Sequence, residues 1–354
     1  MNLFDVLAEM GHEEIAMGSD PKSGYRGIVA IHSTRLGPAL GGTRFWSYAT
    51  DDEAITDALR LSRGMTYKNA VAGLDLGGGK SVIIGDNRTS NREEIFRAHG
   101  RLVESLGGRY ITAEDVGTST SDMDFVHLET KHVAGLAERS GDPSPVTAHG
   151  VFRAVQASAK ARWGSDDLTG KVVAIQGCGS VGRYLAGELH EAGAKLIVTD
   201  IDPQRSKRVA NETGAKVVGT DEIYSVAADI FAPCALGGII NDETIPQLKV
   251  EIVAGGANNQ LLEPRHGDIL EQRGLMYAPD YVANAGGVIN VYGEVAGWDA
   301  EHALKKADEI YDTMLGVFEI AKAEHIPSYQ AADRLAERRL NSAPVGRPKP
   351  VLVK

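Results

Sequence analysis

Apolar and polar positions along the chain repeat with two periods, one near 3.6 and one near 2, and the switches between them mark most of the elements. Leu3, Phe4, Val6, Leu7 and Met10 recur at helical spacing and predict a helix over 2–10, and GYRGIVAIHST over 24–34 reads as a strand. Residues 36–44, LGPALGGTR, read as a loop whose paired glycines offer backbone N–H groups to an anion, although a plain turn between strands has the same look. A helix is expected over 52–64, followed by Lys68, then a turn at Gly77, Gly78 and Gly79 that enters an apolar strand over 81–84. Residues 91–107 set Ile95, Phe96, His99, Leu102, Val103 and Leu106 on one side of a helix that stops at Gly107, with His99 a core or interface residue rather than a ligand. A short strand after Arg109 ends in Glu114 and Asp115, and a helix follows over 121–128.

The stretch GDPSP at 141–145 is the first strong break in composition and marks a domain boundary. The expected domains are 1–140 and 141–324, with a helical segment 325–354 returning to the first and an irregular tail from Pro344. A helix over 148–163 precedes a buried-strand pattern over 171–176 and then GCGSVG, in which Gly177, Gly179, Ser180, Val181 and Gly182 open a helix over 183–192. A second strand over 195–200 ends in Asp200, 18 residues beyond Gly182 (200 − 182). Strand, glycine turn, helix and delayed acid together are the context a dinucleotide fingerprint requires. The glycines allow the turn and the approach of a pyrophosphate, the helix N-terminus stabilises its charge, and Asp200 accepts from the adenosine ribose. Further strands over 216–218, 229–234, 251–254 and 275–278 alternate with helical runs, which predicts a doubly wound α/β sheet. Two of them end in small-residue loops, 235–238 and 255–259, that line a cofactor crevice. Helices are expected from Tyr281, over 302–322 and over 329–340.

Candidate chemistry centres on GMTYKNAVAGLDLGGGK, residues 64–80, which sets Lys68 and Lys80 among small and apolar residues. An ammonium on such a frame loses solvation and its pKa falls, and a neighbouring ammonium pushes the same way. One lysine then stays charged to hold a carboxylate while the other serves as general base. The same pattern also suits lysines that snorkel from an ordinary turn. Asp115, at a strand's end before a Gly-Thr-Ser-Thr loop, is placed to face the lysines, or else is a solvated loop acid or the cap of the next helix.

Composition narrows the class. With 354 residues, 43% hydrophobic and 24% charged, the chain has material for two globular cores. Its net charge of −11 and scattered basic residues argue against nucleic acid and anionic membranes as partners. Cys178 and Cys234 stand apart, with no disulfide or zinc spacing, which fits a reducing cytoplasmic compartment. No signal-peptide pattern or membrane-span run is expected.

The pieces LGPALGGTR, GMTYKNAVAGLDLGGGKSVIIGD, ITAEDVGT, PSPVTAHGV, VAIQGCGSVG, KLIVTDID, FAPCALGG, VAGGANNQL and NAGGVINV resemble the glutamate/leucine/phenylalanine/valine dehydrogenase family, most of all its leucine enzymes, from about Leu3 to about Leu340. The resemblance implies two α/β domains, an N-terminal substrate-binding and oligomerisation domain and a Rossmann-type NAD-binding domain. It further implies NAD-dependent reversible oxidative deamination of an apolar L-amino acid to a 2-oxo acid and ammonium, in a homo-oligomer and without a metal. Lys68 would grip the substrate carboxylate with the Gly41 and Gly42 backbone and Asn259. Lys80 would activate water, Asp115 would shuttle protons, and Thr147 would hold the nicotinamide amide. Ala235 and Asn258 would touch the cofactor. Leu40, Ala113, Val288 and Val291 would surround the substrate side chain, Leu40 and Val291 standing where glutamate enzymes carry polar contacts. Gly79 departs from the GGAK usual in the leucine enzymes toward the GGGK of the phenylalanine and valine enzymes, which leaves those substrates as the alternative and suggests a wider site. From another class, a nucleotide-binding protein without catalysis would keep the fingerprint but has no use for the trio Lys68, Lys80 and Asp115.

Overall fold

A computed structural model describes residues 2–136 and 141–343; the irregular tail expected from Pro344 lies outside them. The chain divides into two compact units, one of residues 1–141, 291–299 and 336–354, the other of 142–290 and 300–335.

The first unit contains α1 (Leu3–Met10), β1 (Glu14–Asp20), β2 (Tyr25–Ser33), β3 (Ala39–Trp46), α2 (Asp51–Val71), β4 (Gly77–Ile84), α3 (Arg92–Ser105), β5 (Tyr110–Glu114) and α4 (Thr120–His127). Its five-stranded sheet has the order β1-β2-β4-β3-β5, with β1 and β2 antiparallel and β3 parallel to both β4 and β5. On one face Ile28, Ala30 and Val82 pack against Ala54, Ile55, Ala58 and Leu59 of α2. On the other, Phe45 and Ile83 pack against Ile95 and Phe96 of α3 and Met123 of α4. His99 is buried there and shares hydrogen bonds with Tyr25, Thr43 and Ser81, a core role as expected.

Three local expectations change. The loop expected over 36–44 is mostly β3, because the chain between Ala39 and Trp46 is held on both sides by parallel partners. Helix α2 does not stop at Gly64 but runs to Val71, so Lys68 lies within it; burial of Thr66, Asn69, Ala70 and Val71 outweighs the cost of one exposed helical glycine. The three glycines at 77–79 form no turn. They begin β4, where a Cβ on Gly77 would lie 1.9 Å from the Ser33 carbonyl oxygen and one on Gly78 2.0 Å from the Thr66 nitrogen, so close approach rather than bending demands glycine. Strand β1, not anticipated, pairs along its whole length with β2.

The second unit is built from α5 (Ser144–Trp163), β6 (Val172–Gln176), α6 (Ser180–Glu191), β7 (Lys195–Thr199), α7 (Pro203–Thr213), β8 (Lys216–Val217), β9 (Ile230–Pro233), β10 (Ile252–Val253), α8 (Arg265–Gln272), β11 (Met276–Tyr277) and α9 (Asp280–Ala283). Helices α10 (Gly286–Ala296), α11 (Ala300–Asp308), α12 (Ile310–Glu324) and α13 (Ser328–Ser342) complete the described chain, and α10 and α13 each contribute residues to both units. The long helix expected over 302–322 is interrupted at Glu309. The six-stranded sheet, order β11-β10-β9-β6-β7-β8, is parallel throughout. The chain steps outward from β6 to β7 and β8, then returns to β9 on the other side, so the order reverses beside β6, where ligands of such sheets bind. Among the described residues no helix is long and apolar enough to cross a membrane.

Candidate active site

Strand register brings the first group of candidate residues together. Gly42 pairs with Ala113 and Thr43 with Glu114 on β5, while Thr43 pairs with Ser81 on β4. Side chains alternate along a strand, so Leu40, Gly42 and Arg44 of β3 share the α2 face with Gly78 and Lys80 of β4 and with Ala113 and Asp115 at the end of β5. Lys80 and Asp115 thus flank β3 from opposite sides. They meet across Gly42, with Lys80 Nζ 2.7 Å from Asp115 Oδ2. A Cβ at position 42 would stand 2.7 Å from the Asp115 Cβ and 2.5 Å from the Glu114 carbonyl oxygen. Glycine is therefore what lets Asp115 lie over β3. Gly41 is bound by a similar limit on the other side, its added Cβ falling 1.8 Å from the Gly79 carbonyl oxygen.

Lys80 is 5% exposed. Burial lowers its pKa, Asp115 opposes that, and the net shift is downward. Burial works against ionisation of Asp115 as well, but Lys80 and then Arg44 outweigh it and hold the carboxyl below its usual range. A cation that adds to the depression of Lys80 is the Arg44 guanidinium. Arg44 donates from Nε to Asp115 at 3.2 Å and from Nη1 to Asp57 at 2.8 Å, and the Tyr48 hydroxyl donates to Asp57 at 2.7 Å. Arg44, Asp57 and Tyr48 were not singled out in the sequence, since only the parallel register sets an arginine of β3 beside an acid of β5. Lys68 is half-buried on α2, the helix covering this face.

Gly79 points the other way: its added Cβ would meet the Tyr110 ring at 2.6 Å, on the α3 side of the sheet. The missing methyl therefore does not widen the Lys80 face, contrary to the expectation from GGGK.

In the second unit the glycine turn follows β6 as expected. Gly177 has φ +99°, and a Cβ on Gly182 would fall 2.0 Å from the Gly177 carbonyl oxygen. At Gly179 an added Cβ would meet nothing within 4 Å, so the turn is open on the side where the first N–H groups of α6, from Ser180 and Val181, are free. A cavity of about 490 Å³ adjoins it, lined by Gly179, Ser180, Asp202, Gln204, Arg205 and Arg208. Asp200 accepts from the Cys178 and Asp202 N–H groups at 2.6 and 2.8 Å, which fixes the acid beside the turn. The loops after β9 and β10 close the same end of the sheet: Gly177 abuts Ala235, Gly256 abuts Val181, and the Gly238 N–H donates to the Asn259 carbonyl. Asn258 accepts from the Asn284 amide at 2.7 Å, and Asn259 adopts a left-handed φ of 51°. Thr147 lies in the first turn of α5, its hydroxyl donating to the Pro143 carbonyl and close to Gly287. Val288 is buried, and Val291, three residues on in α10, is half-buried. An open glycine turn, a helix N-terminus and an acid at the end of the next strand fit a dinucleotide.

Comparison with known proteins agrees with this fold. The profile described as Glu/Leu/Phe/Val dehydrogenase, dimerisation domain, matches residues 12–132, and that of Glutamate/Leucine/Phenylalanine/Valine dehydrogenase matches 140–204 and 198–345. A leucine dehydrogenase of Geobacillus stearothermophilus is 57% identical over 97% of this chain and 94% of its own. An L-tryptophan dehydrogenase of Nostoc punctiforme is 49% identical, with 97% of each chain covered. The crystal structure of L-tryptophan dehydrogenase from that organism superposes with a TM-score of 0.89 at 46% identity, covering 96% of this chain and 99% of the other. The chain belongs to the Glu/Leu/Phe/Val dehydrogenase family and is an amino-acid dehydrogenase.

Proposed function

We propose that the protein catalyses the reversible oxidative deamination of L-leucine and other branched-chain L-amino acids to 2-oxo acids and ammonium with NAD. The observation that carries this reading is the buried Lys80 in contact with Asp115 at 2.7 Å, a proton-transfer pair on the face that also bears Leu40, Gly42 and Ala113. A bound nicotinamide supplies the acceptor for the Cα hydride. Lys68 holds the substrate carboxylate with help from the Gly41 and Gly42 backbone and Asn259. Lys80, in its neutral form, takes a proton from the water that adds to the iminium carbon, and Asp115 passes protons to the departing amine. Gly177, Gly179, Ser180, Val181 and Gly182 hold the pyrophosphate, Asp200 the ribose and Thr147 the nicotinamide amide, while Ala235 and Asn258 touch the cofactor. No metal takes part. The protein acts in the cytoplasm as a homo-oligomer, in keeping with the dimerisation profile over residues 12–132.

Leu40, Ala113, Val288 and Val291 present no polar group to a distal carboxylate, whose burial unpaired costs several kcal/mol, so glutamate is a very poor substrate. Among apolar side chains one methylene is worth ~1–3 kcal/mol, so Leu, Val and Ile fall within a modest range with Leu ahead. The test is an initial-rate panel of Leu, Val, Ile, Phe and Glu with NAD and NADP. The expected result is a kcat/KM ratio of Phe to Leu below one that rises in Leu40→Ala, together with a strong preference for NAD. A wild-type ratio well above one assigns the protein to phenylalanine instead. Comparable efficiency with NADP removes the role given to Asp200 and points to Arg205 and Arg208 in the adjoining cavity.

A further inference from the structure

We propose that Arg44 is a positioning residue for the reaction: its guanidinium holds Asp115 over β3 in the orientation that meets Lys80, and is itself anchored by Asp57 and Tyr48. The inference rests on the functional reading of Lys80 and Asp115 above.

Asp115 follows the last residue of β5, so strand pairing does not lock its side chain. What locks it is contact with two cations on one oxygen, Lys80 Nζ at 2.7 Å and Arg44 Nε at 3.2 Å. The backbone adds a bond from the Val116 N–H to the carboxylate, a smaller influence than either cation, and the Asp115 N–H itself donates to Thr118 Oγ1 at 2.9 Å. Lys80 gives up its proton during the cycle, and at that moment the guanidinium, which stays charged, is the cation left on the carboxylate. Arg44 is well placed to remain there. Its other arm is 2.8 Å from Asp57 on α2, and Asp57 also accepts from Tyr48 at 2.7 Å and from Arg60 at 3.4 Å. Side-chain exposures of 23% for Arg44, 24% for Asp115 and 14% for Asp57 keep most water out of this chain of contacts. Among the groups that face Lys80 and Arg44 from the packed elements are Asp115, Asp57, Tyr48 and, at the rim, Arg60, with Lys68 on the same helix, α2. Arg44 also favours the neutral form of Lys80, because two cations share one carboxylate.

The experiment compares Arg44→Gln and Arg44→Lys with the full-length wild-type protein, in NADH-forming initial rates on L-leucine across pH, normalised to folded protein by circular dichroism. For Arg44→Gln we expect kcat to fall about 10²-fold, the effect of a misplacement near 1 Å, with little change in KM and with the rise of rate with pH displaced to higher pH. Arg44→Lys keeps the cation and so keeps the wild-type pH profile, yet loses kcat because a single ammonium cannot bridge both acids. Wild-type kcat and profile in both variants, or a loss that only tracks the folded fraction, overturns the positioning role. Should Arg44→Gln fail to fold, Asp57→Asn decides: a lower kcat at unchanged KM supports the role, and wild-type kcat overturns it. A wild-type protein that oxidises no amino acid overturns the functional reading itself, whereas an active wild type with unaltered variants overturns this inference alone.

Discussion

Lys80 carries its charge where charge is costly, and the cost is what makes it useful. With the side chain buried and one carboxylate opposite, the ammonium releases its proton more readily than a solvated lysine. Oxidative deamination is therefore expected to speed up as pH rises and Lys80 becomes neutral. Lys80→Ala is expected to lower kcat by ~10²–10⁴, and wild-type turnover at saturating substrate in that variant would end its assignment as base. Lys68→Ala should act differently, raising KM far more than it lowers kcat, because the ion pair proposed for it with the substrate carboxylate would be present in ground and transition states alike. Steady-state kinetics of the two variants separate these roles. Lys80 and Asp115, which the structure brings together, stood out in the sequence because a lysine among glycines and apolar residues and an acid at a strand's end are unusual. Arg44 did not, because nothing local distinguishes it from a surface arginine.

Among the elements, β3 decides the geometry of the site. It runs between β4 and β5 and carries no side chain at position 42, which leaves the passage where Lys80 reaches Asp115. Gly42→Ala would set a methyl 2.7 Å from the Asp115 Cβ, so the strand and the end of β5 must part. The expected result is a kcat reduced about 10²-fold together with a loss of ~1–3 kcal/mol in stability. Gly79→Ala is the contrasting case. Its methyl presses on the Tyr110 ring at the opposite face, so stability changes while the kcat/KM ratio of Phe to Leu does not. A changed ratio in Gly79→Ala would show that the two faces are not independent. Reading 77–79 as a turn failed because three glycines signal either a bend or a close approach, and only the neighbours at Ser33, Thr66 and Tyr110 distinguish them.

Across the whole molecule, histidines give the two units opposite responses to pH. In the first, burial holds His99 at about 3 and His32 at about 4, so both stay neutral in the fold while the unfolded chain takes up protons below about pH 6.5. Their contribution is complete above that pH and is lost as pH falls toward those values. In the second unit, His149 on α5 is hydrogen-bonded to Glu188 of α6 at 2.8 Å and to Asp308 of α11 at 3.1 Å, and its pKa is raised, chiefly by the Glu188 bond. That contribution is complete below about pH 6.5 and is lost as pH rises through the raised value. Hydrogen exchange resolved by peptide, at about pH 5.5 and about pH 8, is expected to show first-unit protection falling in acid and the α5, α6 and α11 segments loosening in base. His149→Gln should flatten only the second trend, and an unchanged slope in that variant would contradict it.

Periodicity, glycine turns and the spacing from Gly182 to Asp200 are local properties of the chain, so the doubly wound sheet, the dinucleotide turn and the lysine-rich motif could all be read in order along it. Local order along the chain thus specifies which chemical groups are present and which short elements carry them. Tertiary structure decided which of those groups meet. A shift of one residue in the register of β3 would send Leu40, Gly42 and Arg44 to the α3 face and break the meeting of Lys80, Asp115 and Arg44, and no local pattern specifies that register. It is set by distant contacts, Gly41 against the Gly79 carbonyl, Gly78 against Thr66 and α2 over the sheet, which exist only when the unit is packed.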